Sequence, residues 1–338
     1  MQRNLFIGQI IKVLKKEDLR IVFMGTPEFA VETLRALVDN DYNVVAVVTQ
    51  PDKPVGRHGS VMRPTAVKSY AVEKGIPVLQ PEKMKDPDFV EALRAYNANL
   101  QVVVAFRMLP EVVWDMPEYG TFNVHAALLP QYRGAAPINW AVINGEKQTG
   151  VTTFFLDKDI DTGKIIMRLP FDIADDYNVE NVYDGLMRLG AKICIMTLEK
   201  IVEADGYPEA VPQDELIAGM GELRPAPKIF IDTCHVDWNK TAKEVYDFVR
   251  GLSPVPGAWS LLTAPDGSEK MIKIYATEKT ELAASEVPGS IVADRKNLYV
   301  CAGDNLLRIC ELQLSGRRRM TASDFLNGMN DINCYRMK

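Results

Sequence analysis

The 338-residue chain contains three histidines, His58, His125 and His235, and the one placed to do chemistry is His125. It closes the apolar run Thr121-Phe122-Asn123-Val124-His125, just before Ala127-Leu128-Leu129-Pro130 turns the chain. In a strand, residues two apart face the same way, so Asn123 and His125 project together. The carboxyl ends of strands are where open α/β sheets build their sites. Downstream, Leu156-Asp157-Lys158-Asp159-Ile160-Asp161-Thr162-Gly163 offers carboxylates, and Asp161 is the one we place beside His125. An amide, an imidazole and a carboxylate suit transfer of a one-carbon acyl group to an amine through a tetrahedral intermediate. The amide and the ring N–H can donate to the developing oxyanion. Imidazole, with an ordinary pKa of about 6.5, can relay protons between attacking and leaving nitrogens. The carboxylate would orient the ring and hold an ordered water. The amine is itself the nucleophile, so the scheme calls for no Ser, Cys or metal. Each residue also has a plainer reading: a lone histidine can simply end a strand, and Asp and Gly are routine in hairpin loops.

Several elements must position these groups. Apolar runs at 20–24, 43–48, 100–105 and 121–125 alternate with helical patterns at 28–38, 64–74 and 179–203, and Arg133-Gly134-Ala135-Ala136-Pro137 starts another helix. Pro27 suits a first helical turn, where its missing N–H is not needed. Buried-type strands separated by helices predict a Rossmann-like, mostly parallel sheet in an α/β domain. No G-x-G-x-x-G follows the first strand, which argues against a dinucleotide site. Proline and glycine then become dense between 205 and 232, as in a linker. Beyond it, one helix (239–250) precedes short strands at 258–262, 271–275, 289–293, 297–301 and 306–314. That spacing predicts a small OB-like β-barrel. The expected organisation is an N-terminal extension 1–18, a catalytic domain 19–204, a linker 205–232 and a C-terminal domain 233–338.

Bulk composition narrows the class. Hydrophobic residues form 47% of the chain and charged residues 25%, ordinary for a globular protein. No apolar run approaches the roughly 20 residues that span a bilayer. The stretch 1–18 has its lysines after its apolar centre, the reverse of a secretion signal. Five cysteines without metal-type spacing fit a reducing cytoplasm. A net charge of −6 neither advertises nor excludes a nucleic-acid partner, because phosphate binding depends on local patches.

The motifs Asn123-x-His125, Leu128-Leu129-Pro130-x-x-Arg133-Gly134-Ala135-x-Pro137 and Asp161-x-Gly163 resemble those of the folate-dependent formyltransferase family. The resemblance runs from Leu19 to about residue 330. It implies that Asn123, His125 and Asp161 are the catalytic set. It also implies that the formyl donor, 10-formyltetrahydrofolate, lies against Ala127, Leu128, Leu129, Pro130, Phe106 and Met108, with no metal. The family's usual Ser at the start of that turn is Ala127 here. Phe23-Met24-Gly25-Thr26-Pro27-Glu28-Phe29-Ala30, the basic loop 50–64 and the extra barrel resemble the branch whose acceptor is methionyl initiator tRNA. In that branch the loop enters the acceptor-stem end, and Asp52, Pro54, Gly56 and Arg57 match its pattern, although the usual lysines after the loop glycine are absent. By the same likeness Arg57, Lys53, Arg317, Arg318 and Arg319 would contact tRNA, in a cytoplasmic protein acting as a monomer off the membrane. A sugar or small-metabolite N-formyltransferase using the same donor is the alternative; Arg57 and the triple arginine could equally be solvated surface.

Overall fold

Ile21–Gly25 is buried at every residue, as expected of a strand covered on both faces. It is β1, and it pairs in parallel with β2 (Val44–Val48) on one side. Two short strands, β3 (Lys53–Val55) and β4 (Val61–Arg63), follow β2, and then comes β5 (Val78–Leu79), parallel to β2. On the other side of β1 stands β6 (Leu100–Val104), parallel to it, and next to that β7 (Thr121–His125), parallel to β6. With β8 (Gln148–Phe155) and β9 (Ile165–Asp172) the sheet order becomes β5-β2-β1-β6-β7-β8-β9, and β8 runs antiparallel to β7. The sequence therefore moves outward from β1 one way, then returns and moves the other way, which places a topological switch point between β1 and β6.

This computed structural model describes residues 13–55, 61–329 and 331–338. Its chain divides into two compact units. The first comprises Met1–His125, Thr152–Arg168 and Gly190–Glu215, and the second Ala126–Val151, Leu169–Leu189 and Leu216–Lys338.

In the first unit, helix α1 (Glu28–Asp39) starts after Pro27 at its N-cap and buries Phe29, Ala30, Val31, Leu34 and Leu37. α2 (Ala66–Glu73) is capped by Thr65, whose side chain accepts from the Lys68 N–H, and α3 (Pro87–Ala95) by Asp86. The short α4 is Glu111–Trp114. One core cluster joins Val22, Met24, Val48 and Val103 of the sheet to Phe89 and Leu93 of α3. Part of the N-terminal extension belongs to this unit: Leu14 is buried, and its N–H donates to Asp205 Oδ1 at 2.6 Å. Residues 1–12 of that extension lie outside the described residues.

The second unit contains α5 (Pro137–Ile143), and α6 (Val179–Glu203) runs through both units. After α7 (Gln213–Ile217) comes α8 (Ala242–Leu252), opened by a capping box between Thr241 and Glu244. The remaining strands are β10 (Ala258–Thr263), β11 (Glu269–Ala283), β12 (Ile291–Ala293), β13 (Leu298–Cys301), β14 (Asn305–Leu314), β15 (Met320–Thr321) and β16 (Arg336–Met337), with α9 (Ala322–Leu326) after β15. They pair antiparallel in the order β12-β13-β14-β11-β10-β16, with β15 on β14. A bridge between Ser290 and Arg336 brings the two ends together, so the sheet curls into the expected OB-like near-barrel. Its interior holds Ile272, Ile274, Leu298, Val300, Leu307 and Leu312.

Two expectations change in detail. β11 continues to Ala283 rather than ending near 275, because irregularities at Ile274/Ala276, Ala276/Thr277 and Lys279/Ala283 shift its register. Such bulges break the alternation by which a strand is recognised. The loop 50–64 carries an antiparallel ribbon, β3 on β4, pairing Lys53 with Arg63 and Val55 with Val61; residues 56–60 lie outside the described residues.

Candidate active site

β7 enters the sheet between a parallel and an antiparallel neighbour, with Asn123 opposite Phe154 and His125 opposite Thr152. That pairing fixes the face on which Asn123 and His125 both stand. His125 is 6% exposed, and its ring meets Phe154 edge-on at 6.4 Å between centroids. β8 is held in turn by a buried hydrogen bond of 2.8 Å between the hydroxyls of Thr153 and Thr197 on α6.

Asp161 arrives from the turn between β8 and β9, and its Oδ2 lies 3.8 Å from His125 Nδ1. This is too long for a direct hydrogen bond. It is short enough for the carboxylate to stabilise a charged ring, all the more because both side chains are largely shielded from water. Asn123 Oδ1 is buried without a hydrogen-bond partner among the described residues. The structure thus sets the Asp161 carboxylate beside the His125 ring, with Asn123 two residues away on the same face of β7.

The turn itself explains why Asp161, of the three aspartates, faces the ring. Asp157 Oδ1 accepts from Thr162 Oγ1 at 2.7 Å and from the Asp159 N–H at 3.2 Å, so Asp157 shapes the loop. Asp159 is exposed. Asp161 has a left-handed backbone, φ 56°, a conformation Asp tolerates better than most residues. Gly163 follows where a Cβ would stand 2.9 Å from the carbonyl carbon of Phe155 and nearer still to its oxygen. Only glycine lets the turn close this tightly on β8. Gln213 was not singled out by sequence reasoning. It is 2% exposed, and its Nε2 donates to the carbonyls of Asp161 and Gly163, both at 2.9 Å. A glutamine inside a proline- and glycine-rich stretch gives no signal of such a contact.

The remaining expected residues fall as follows. Phe106 and Met108 lie just after β6; Phe106 is half-buried against the first unit's core, and Met108 is 72% exposed. Between them, Arg107 donates to the carbonyls of Pro81 and Glu82, and burial pulls its pKa down. Met108 lines an open cleft of about 520 Å³ with Met84, Lys85, Leu109, Trp114 and Lys158. In the second unit Ala127 and Leu129 are fully buried, Pro130 is buried behind a cis peptide bond and Leu128 is half-buried. Lys53 is exposed on the ribbon, and Arg57 lies outside the described residues. Arg317, Arg318 and Arg319 are exposed in the turn before β15. Arg319 is partly committed, bonded to Glu311 and stacked over Tyr275 at 4.5 Å. Among the described residues no cluster of His, Cys, Asp or Glu could hold a metal ion, and no helix is long and apolar enough to cross a membrane.

A Rossmann-like sheet with an Asn/His/Asp site at a strand's carboxyl end, followed by an antiparallel near-barrel, defines a two-domain formyl transferase. Family models agree: residues 19–198 match "Formyl transferase" and residues 228–330 match "Formyl transferase, C-terminal domain". The methionyl-tRNA formyltransferase of Parabacteroides distasonis is 59% identical over 323 residues, covering 95% of this chain and 99% of the relative. The chain belongs to the methionyl-tRNA formyltransferase family. Among solved structures, HypX from Aquifex aeolicus in complex with tetrahydrofolic acid superposes with a TM-score of 0.58 at 18% identity, covering 91% of this chain and 47% of that one. An N-formyltransferase from Helicobacter canadensis, in complex with folinic acid and dTDP-3-aminofucose, gives 0.61 at 17% identity, covering 89% and 100%. At these identities the likeness concerns the fold.

Proposed function

We propose that the chain transfers the formyl group of 10-formyltetrahydrofolate to the amino group of methionyl initiator tRNA, in the cytoplasm where translation starts. The observation that carries the reading is the meeting of Asn123, His125 and Asp161. The amine nitrogen attacks the formyl carbon and the carbonyl becomes an oxyanion, which Asn123 Nδ2 stabilises by donating to it. His125 takes the proton shed by the amine and returns one to the departing folate nitrogen. Asp161 steadies the imidazolium between those two transfers, which suits a carboxylate near the ring rather than bonded to it. A buried amide oxygen without a donor costs about 1–3 kcal/mol. An N–H of the incoming amine would offset that cost at Asn123 Oδ1, so the site fits an amine acceptor.

The donor is assigned to the first unit's Phe106 and Met108 and to the turn Ala127-Leu128-Leu129-Pro130. The tRNA is assigned to Lys53 on the ribbon, to Arg57 of the loop 50–64 and to Arg317, Arg318 and Arg319 of the domain 233–338. Guanidinium groups at these places suit phosphate, which they hold with two parallel hydrogen bonds. The chain is proposed to act as a monomer. The test supplies 10-formyltetrahydrofolate with charged methionyl initiator tRNA, uncharged tRNA or an amino nucleotide sugar. Formylation of the charged tRNA alone is the expected result. Formylation of the sugar alone would reassign the acceptor.

A further inference from the structure

Gln213 joins two parts of the chain that are remote in sequence. It opens α7, and the residue before it is Pro212. Just upstream, Val211 exchanges two backbone hydrogen bonds with Ile165 at the start of β9, both 2.8 Å. The segment 211–213 is thereby fastened along one side of the turn that carries Asp161. From that anchored position the two N–H groups of one buried amide reach the carbonyls on either side of Thr162. Asp161 lies in the turn that this clamp holds, in a left-handed conformation that needs its surroundings to hold it. By contrast, Asp157 to Ile160 on the outer part of the loop are exposed.

We infer that Gln213 is a positioning residue for the transfer reaction, setting the turn so that the Asp161 carboxylate stays beside His125. The inference rests on the proposed role of Asp161. A carboxylate whose distance to the ring is 3.8 Å acts through placement, and a shift of about 1 Å in such a site can cost about 10²-fold in rate. The amide is matched to this task. Shortening it (Gln213→Asn) withdraws the donors, Gln213→Glu sets a carboxylate against two carbonyl oxygens, and Gln213→Leu keeps the bulk without donors.

The experiment is a double-mutant cycle with a spectroscopic arm. Gln213→Leu and the milder Gln213→Asn are each made alone and with Asp161→Ala. Formylation of methionyl initiator tRNA is followed under saturating and limiting substrate. Expected is a fall in kcat of about 10- to 100-fold for either single variant, with KM for both substrates within about twofold. Placed on Asp161→Ala, the Gln213 substitution should add little, because it acts through the group already removed. In parallel, the ring resonances of His125 should move in Gln213→Leu as they do in Asp161→Ala, while those of His58 and His235 stay in place. Full additivity in the cycle, or an unmoved His125 signal alongside lost activity, would overturn the inference and leave Gln213 a purely structural residue. The resonance arm requires no turnover. If the wild-type chain formylated no charged tRNA, the proposed reaction would fall, while the clamp would still be judged by the His125 signal.

Discussion

Gly163→Ala is the sharpest test of how the turn serves the site. A Cβ at 163 would lie 2.9 Å from the carbonyl carbon of Phe155 and closer to its oxygen, where real Cβ atoms essentially never approach within 3.0 Å. The contact is with the backbone of Phe155 at the end of β8, so no flexible side-chain end can yield. The turn must back away by about 1 Å, and Asp161 moves with it, for a loss of about 10² in kcat. That factor corresponds to about 2.7 kcal/mol of transition-state stabilisation. Folding should lose about 1–3 kcal/mol from the same crowding. Gly221→Ala is the matched control: a Cβ there would meet nothing within 4 Å, and the backbone is not left-handed. It should be neutral or slightly stabilising. The assay is single-turnover formylation under saturating enzyme, with thermal denaturation of the same preparations. A Gly163→Ala protein with kcat within about twofold of wild type would refute the claim that the turn's closeness to β8 sets the carboxylate.

Other expectations follow from the same geometry. Asp52 is held below the usual carboxylate range by hydrogen bonds from Lys68 and Gln80. A depressed pKa means its contribution is present at neutral pH and lost as pH falls through the folded value, below the ordinary 3.8. Hydrogen exchange of residues 50–55 and 61–63 should therefore quicken in Asp52→Asn at neutral pH, and in wild type only in strong acid. Under native conditions a thiol reagent should modify Cys334 first. Cys194, Cys234 and Cys301 are buried, and Cys310 is pushed up to about 11 chiefly by burial; rapid labelling of more than one thiol would contradict this. Substituting Ala for Arg317 and Arg318 together should weaken tRNA binding and lower its salt slope by about one for each phosphate that is no longer neutralised, with folate affinity unchanged by calorimetry.

Much of this was legible in the residues. β7 and α6 fall where the sequence reading placed them, because Thr121–His125 is a short apolar run ending in polar chemistry and Val179–Glu203 keeps a helical stripe throughout. Asn123 and His125 share a face by the period of the strand alone. The nearness of Asp161 could not come from spacing, since the loop offers three aspartates and the hydrogen bonds that employ Asp157 are visible only in three dimensions. Gln213 was hidden for a related reason: a tertiary clamp on backbone carbonyls leaves no pattern in its own neighbourhood. The ribbon was missed because β3 and β4 are exposed on nearly every residue and so show no alternation, and β3 contains Pro54, which argues against a central strand.

The ribbon's footing lies outside the ribbon itself. Asp52 ties to α2 through Lys68, while Gln80, just after β5, holds both Asp52 and the Gln50 carbonyl. These bonds tie the base of the ribbon to α2 and to the sheet's edge strand. Lengthening the connection between its strands costs chain entropy that grows only with the logarithm of its length, so new sequences can be grafted between the same two strands while the Asp161 carboxylate, on the opposite flank of the sheet order, keeps its own supports.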